Sequence, residues 1–231
     1  MTSKRAGSAL RALPLLLVAT GGCNANRVQN WVPVYDEPRH RLAFENDEVM
    51  ILDVDLPPGY VSLYHKHELD LLYVTISGSR VWAQPLGAER READVPTGDL
   101  RFSSDNHPLP HIHRVGNIGT TPFHVIGVGI KRASTRQTNA LSGDLSGMHK
   151  STEKPGAVVF SMQLGPGERT GEHRHDSSFA TVFLTAGKLA APDGSIVDVS
   201  AADYRWQPAG TVHRYENAGT GPVQIVEVVT R

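Results

Sequence analysis

The chain has 231 residues, enough for one large domain or two small ones that each bury a core. Its 23 basic and 24 acidic residues nearly cancel, which excludes the one-signed surface expected of a partner for nucleic acid or an anionic membrane face. Gly (22) and Pro (15) are plentiful, and short Val-, Ile-, Thr- and Phe-rich runs between turn clusters predict an all-β fold.

Residues 1–23 read as an export segment. Lys4, Arg5 and Arg11 make a basic start, and no acidic residue precedes Asp36. Residues 13–19 are apolar apart from Pro14, too short for the roughly 20 residues of a membrane span but suited to a secretory signal. Small residues follow up to Cys23, the lone cysteine, at the place of a lipoprotein's lipid-modified cysteine. The expectation is an exported protein, periplasmic or held at the cell envelope by a lipid anchor on Cys23. A single cysteine makes no intrachain disulfide. Residues 24–41 are set aside as an N-terminal extension.

Residues 42–132 and 155–231 then form two units that say the same thing twice. Pro58-Gly59, five residues and His65-Lys66-His67 are answered by Pro166-Gly167, five residues and His173-Arg174-His175. An apolar run closes at Gly78 in one unit and at Gly187 in the other. Further on, His113 with Asn117, Gly119 and Pro122 is answered by His213 with Asn217, Gly219 and Pro222. Strands are expected at 49–56, 69–76, 80–85 and 123–130, then at 157–164, 179–185, 196–199 and 223–229. Residues 133–154, polar and without periodicity, are expected to be a linker. Two similar antiparallel units in tandem suggest two small barrels packed on each other.

Residues i and i+2 of a strand share a face, so His65 points with His67, and His173 with His175. A third imidazole for each pair must arrive from a distant strand, and His113 and His213 qualify by their matched positions. Neutral imidazole is a common ligand of transition metals, and three of them leave coordination positions open for a substrate. His107 and His111 are expected to be solvated loop residues, with pocket lining or a place as substitute ligands the alternative, and Tyr73, Trp82, Phe102, Phe183 and Trp206 to pack in cores, with the walls of a substrate pocket the alternative. His40, His124 and His149 have no repeat partner and receive no role. A nucleophile elbow, a phosphate loop and a second cysteine are all missing from the sequence.

These motifs resemble the cupin superfamily, specifically two-domain bicupins. Gly59, His65, His67 and Gly78, with Gly167, His173, His175 and Gly187, match its first motif. Pro208, Gly210, His213 and Asn217 match its second; the first unit keeps Pro108, His113 and Asn117 but has Pro110 for the glycine. The resemblance implies tandem jelly-roll β-barrels, each with a metal held by His65, His67 and His113 or by His173, His175 and His213. Counting back from the closing glycines, the family's glutamate falls at Leu71 and Ala180, so both units are expected to lack it and to line the metal's open side with apolar surface. Sites of that kind resemble thiol and diketone dioxygenases, which implies iron as the divalent metal, with zinc, nickel or manganese as alternatives. The implied function is a metal-dependent, dioxygenase-like enzyme acting on a small organic molecule. The alternative is a non-catalytic binding module at the cell envelope.

Overall fold

A computed structural model describes residues 30–105, 108–131, 141–154 and 156–231. The export segment, Cys23 and His107 lie outside the described residues. In the first unit the strands are β1 (Val32–Pro33), β2 (His40–Glu45), β3 (Val49–Leu56), β4 (His65–His67), β5 (Leu71–Ser77), β6 (Ser79–Pro85), β7 (Arg91–Val95), β8 (Leu100–Phe102), β9 (His111–Asn117) and β10 (Phe123–Ile130). In the second they are β11 (Leu141–Gly143), β12 (His149–Lys154), β13 (Ala157–Leu164), β14 (His173–His175), β15 (Phe179–Phe183), β16 (Gly187–Ala190), β17 (Ile196–Val199), β18 (Tyr204–Gln207), β19 (Val212–His213) and β20 (Val223–Thr230). No α-helix occurs among the described residues.

The first unit is a sheet ordered β1-β4-β9-β6-β7 facing a sheet ordered β2-β3-β10-β5-β8. The second repeats this with β12-β13-β20-β15-β18 facing the smaller sheets β11-β14-β19 and β16-β17. The all-β expectation of tandem jelly-roll barrels holds. Each barrel has its own core. Met50, Leu52, Val54, Leu56 and Leu71 fill the first. Met162, Leu164, Phe183, Tyr215 and Ile225 fill the second.

The alternate residues of the same strands serve a third core between the units. Ile51, Leu72, Val74, Ile126 and Val128 meet Ala157, Val159, Ala180, Val182, Val226 and Val228 there. Successive strand residues point to opposite faces, so a strand buried on both reads as an unbroken apolar run. This is why 49–56 and 223–229 look continuous in sequence. The Tyr204 hydroxyl donates to the Ala43 carbonyl across this contact at 2.7 Å.

The repeated turn residues close each barrel. Asn117 Nδ2 donates to the Leu56 and Thr121 carbonyls, and Asn217 Nδ2 to those of Leu164 and Gly221, each at 2.8–2.9 Å. Gly59 and Gly167 take positive φ (81° and 75°), and each N–H donates to the carbonyl of that asparagine at 2.9 Å. The repeat's Pro-Gly and Asn positions are therefore one device, a clip between two turns.

Two expected boundaries differ. In the extension 24–41, β1 pairs in parallel with β4, Val34 is buried in the first core, and His40 opens β2. In the supposed linker 133–154, β11 pairs with β14 and β12 with β13. The physical reason is the same in both places: edge strands with one wet face carry too few apolar residues to show periodicity.

Candidate metal centres

In the first unit, His65 and His67 project inward from β4, and the antiparallel register sets His113 of β9 directly opposite His65. One nitrogen from each of the three lies within 4.8 Å of the others. His65 Nδ1–H donates to the Leu63 carbonyl at 3.0 Å, which fixes the lone pair on Nε2. That Nε2 is buried without a hydrogen-bond partner, and His67 Nε2 lies 3.1 Å from His113 Nε2. Burial and the neighbouring His40 push His65 down to about 3. Burial first, and the adjacent imidazoles second, hold His67 and His113 well below the usual histidine range. All three are neutral at physiological pH, the form that ligates metal. The orphaned His65 Nε2 and the close His67 and His113 Nε2 atoms, converging on one point, fit a bound cation.

This centre opens on a cavity of about 180 Å³ whose lining includes His40, Val54, Leu56, Val115, Phe123 and Val125. His111 is not a solvated loop residue: it opens β9, pairs opposite His67, stacks on its ring at 4.9 Å and lines the cavity. His40, given no role from sequence, lies 4.4 Å from the His65 ring. Its Nδ1 sits 2.5 Å from Glu37 Oε2, while the Tyr60 hydroxyl donates to Glu37 Oε1 at 2.8 Å. Burial raises the Glu37 pKa, but hydrogen bonding and charge from His40, with the Arg39 N–H and Tyr60, outweigh it and bring the group down to about 2. Arg101, paired with Asp99 at 3.0 Å, also reaches the cavity.

In the second unit, His173 and His175 project from β14, and His213 of β19 lies opposite His173. Here a carboxylate joins them: Glu227, from the middle of β20, with all four donor atoms within 4.8 Å of one another. Its oxygens lie 2.9 Å from His175 Nε2, 2.7 Å from His213 Nε2 and 3.6 Å from His173 Nε2. The Tyr215 hydroxyl donates to Glu227 Oε1 at 2.8 Å. Burial disfavours the Glu227 anion, yet bonds from the three histidines hold its pKa well below the usual range. Burial likewise opposes charge on His173, but Glu227 and the Gly171 carbonyl raise its pKa overall.

The expectation that both units lack a carboxylate therefore fails for the second. Pairing shows why. Phe123 and Val223 hold equivalent places, opposite Leu56 and Leu164, so Gly127 is the first unit's counterpart of Glu227. The carboxylate comes from the last strand, not from the motif's own strand. The positions suggested for it are elsewhere: Leu71 packs in the first barrel's core, and Ala180 faces the core between the units. Ala180 therefore does not line an open side of a metal. The available signal was a lone charge inside the apolar run of β20.

Of the aromatics, Tyr73 lines the cavity; Phe102, Phe183 and Trp206 pack in or against cores. Trp82 lies under the Arg114 guanidinium, 5.5 Å away. His124 pairs with Asp53 at 2.8 Å, and His149 is exposed in β12.

Residues 160–229 match the family model described as Cupin domain. No curated protein matches the sequence significantly. Among solved structures, AerE from Microcystis aeruginosa is similar with a TM-score of 0.60 at 12% identity, over 84% of this chain and 98% of that one. A point mutant of salicylate 1,2-dioxygenase from Pseudoaminobacter salicylatoxidans, in complex with gentisate, scores 0.55 at 13% identity, over 80% and 69%. Oxalate decarboxylase from Bacillus subtilis, described with Mn(II) centres, scores 0.52 at 14% identity, over 80% and 69%. At such identities the likeness shows the fold alone. Residues 160–229 thus match a cupin domain, and the fold is shared with these structures over about four fifths of the chain.

Proposed function

We propose that the protein is a metal-dependent, dioxygenase-like enzyme acting on a small organic molecule at the first centre. The observation that carries this reading is the set of three neutral imidazoles whose nitrogens converge beside a cavity of about 180 Å³. His65, His67 and His113 hold a divalent first-row metal, iron first among the candidates. Such an ion, bound by neutral ligands, supplies a Lewis-acidic centre that polarises a chelating enolate, thiolate or carboxylate and gives dioxygen access to it.

The chain's own residues do the rest. The Leu63 carbonyl fixes the His65 tautomer, and the stacked His111 ring restrains His67. Val54, Leu56, Val115 and Val125 keep the cavity apolar, so water is excluded from a bound organic molecule. Arg101 offers a cation to an anionic group at the wall. Gentisate bound to salicylate 1,2-dioxygenase, on the same fold, supports a small organic acid as the ligand class.

Oxygen uptake by the iron(II)-loaded chain against a panel of diketones, thiols and hydroxy acids tests this. The expected result is uptake with at least one chelating compound, abolished in His65→Ala/His67→Ala. Ligand binding by the loaded protein with no turnover of any compound overturns it in favour of a binding module.

We also propose that the mature chain begins at a lipid-bearing Cys23 outside the cytoplasm, supported by the basic start and short apolar run of residues 1–23. Mass spectrometry of the native protein should find that N-terminus; an intact Met1 overturns both export and anchoring.

A further inference from the structure

We infer that the second centre is a closed structural metal site, in which Glu227 completes a four-donor set with His173, His175 and His213. This goes beyond the proposed activity and does not depend on it. Three observations carry it.

The first is the donor set. His173 Nδ1–H donates to the Gly171 carbonyl at 3.0 Å and His213 Nδ1–H to the Thr211 carbonyl at 3.1 Å. A carbonyl only accepts, so both rings are fixed with Nδ1 as donor and Nε2 toward the centre. His173 Nε2 is buried with no hydrogen-bond partner, and His213 Nε2 faces a carboxylate oxygen at 2.7 Å. With Nδ1–H already given to a carbonyl, that contact needs a second ring proton or a cation at the centre, and the cation also meets the orphaned His173 Nε2.

The second is charge. Glu227 is wholly buried, with Ile225 and Val229 as its same-face neighbours on β20. A buried carboxylate needs a paired positive charge. A divalent ion satisfies it without protonating three crowded imidazoles.

The third is the contrast between the units. Where the first has Gly127, Leu71 and Val115, register places Glu227, Phe179 and Tyr215 in the second. Phe179 stacks on His213 at 4.7 Å and meets His175 at 4.6 Å, filling the approach. Tyr215 holds Glu227 in place, with its own hydroxyl 2.8 Å from Thr181 Oγ1. Four protein donors and packed aromatics leave no coordination position for a substrate, which is the arrangement of structural zinc sites. In the first unit a side chain on Gly127 would start 3.2 Å from Leu71 Cδ2, so Leu71 would have to give by a few tenths of an ångström to admit one.

The full-length chain carrying His65→Ala/His67→Ala removes the first centre and leaves the second intact, so zinc binding there reports on this site alone. The expected result is one equivalent of zinc per chain and a rise in Tm of about 10 °C over the metal-free form at saturating zinc. Adding Glu227→Gln, close in shape, should weaken zinc binding about tenfold or more. If the Glu227→Gln chain does not fold, the zinc stoichiometry and Tm shift of the double-Ala chain still decide. A double-Ala chain that takes up no zinc, or takes it up with no change in Tm, overturns the inference. So does a folded Glu227→Gln variant that binds zinc as tightly. Loss of oxygen-consuming activity in any of these proteins bears only on the first centre.

Discussion

At the scale of residues, the six histidines were legible because they occur twice in the same order, and the barrel register then sets each third histidine opposite its pair. Glu227 was not legible through the motif, because the motif's slot lies on another strand. His40 and Glu37 were not legible because they have no counterpart in the repeat: Met148 packs at the corresponding end of the second barrel. The Glu37–His40 pair gives a pH prediction. The Glu37 carboxyl lies at about 2 in the fold against an ordinary 4.5. A depressed carboxylate contributes stability that is present above its unfolded pKa and is lost as pH falls through the folded one. The metal-free protein should therefore lose roughly 3 kcal/mol from this group between pH 4.5 and 2. Glu37→Gln should be less stable at pH 7 and lack that part of the acid limb, as measured by urea denaturation across pH. An identical limb in the variant would place the acid sensitivity elsewhere.

At the scale of elements, four of the eight expected strands have the bounds read from sequence: Val49–Leu56, Phe123–Ile130, Ala157–Leu164 and Ile196–Val199. Most of these are apolar on two faces or bounded by sharp turns. Among the strands that the sequence did not suggest, β11 and β12 are largely exposed edge segments whose role is to cover a neighbour's backbone. Register matters more than composition in β15, where a one-residue offset exchanges the barrel interior for the contact between units. Ala180 is on the outer face of that strand, fully buried against the other unit's sheet. Ala180→Glu should thus leave metal retention at the second centre unchanged per folded molecule, yet destabilise the protein by about 4 kcal/mol through an unpaired buried charge. Denaturant titration and metal analysis of the same sample check both halves. Tighter metal binding in that variant would restore the register that the motif count suggested.

At the scale of the whole molecule, the two barrels share a core as continuous as either of their own. Neither sheet face is viable in water alone, since a contiguous apolar patch of that kind drives association. The chain should unfold in one cooperative step, with tryptophan fluorescence, which samples both units, coinciding with far-ultraviolet circular dichroism. Two separated transitions would mean that the barrels are independent. The same architecture lets two copies of one scaffold diverge, one open to a cavity and one closed by Phe179, Tyr215 and Glu227. Everything proposed for activity rests on the open copy being a metal centre built from His65, His67 and His113. What decides this is the metal content of the native full-length chain beside His65→Ala/His67→Ala, both purified without chelators and measured by plasma mass spectrometry. The double variant should stay folded and lose the first centre's equivalent of a first-row metal; equal metal content in the two proteins would contradict the assignment.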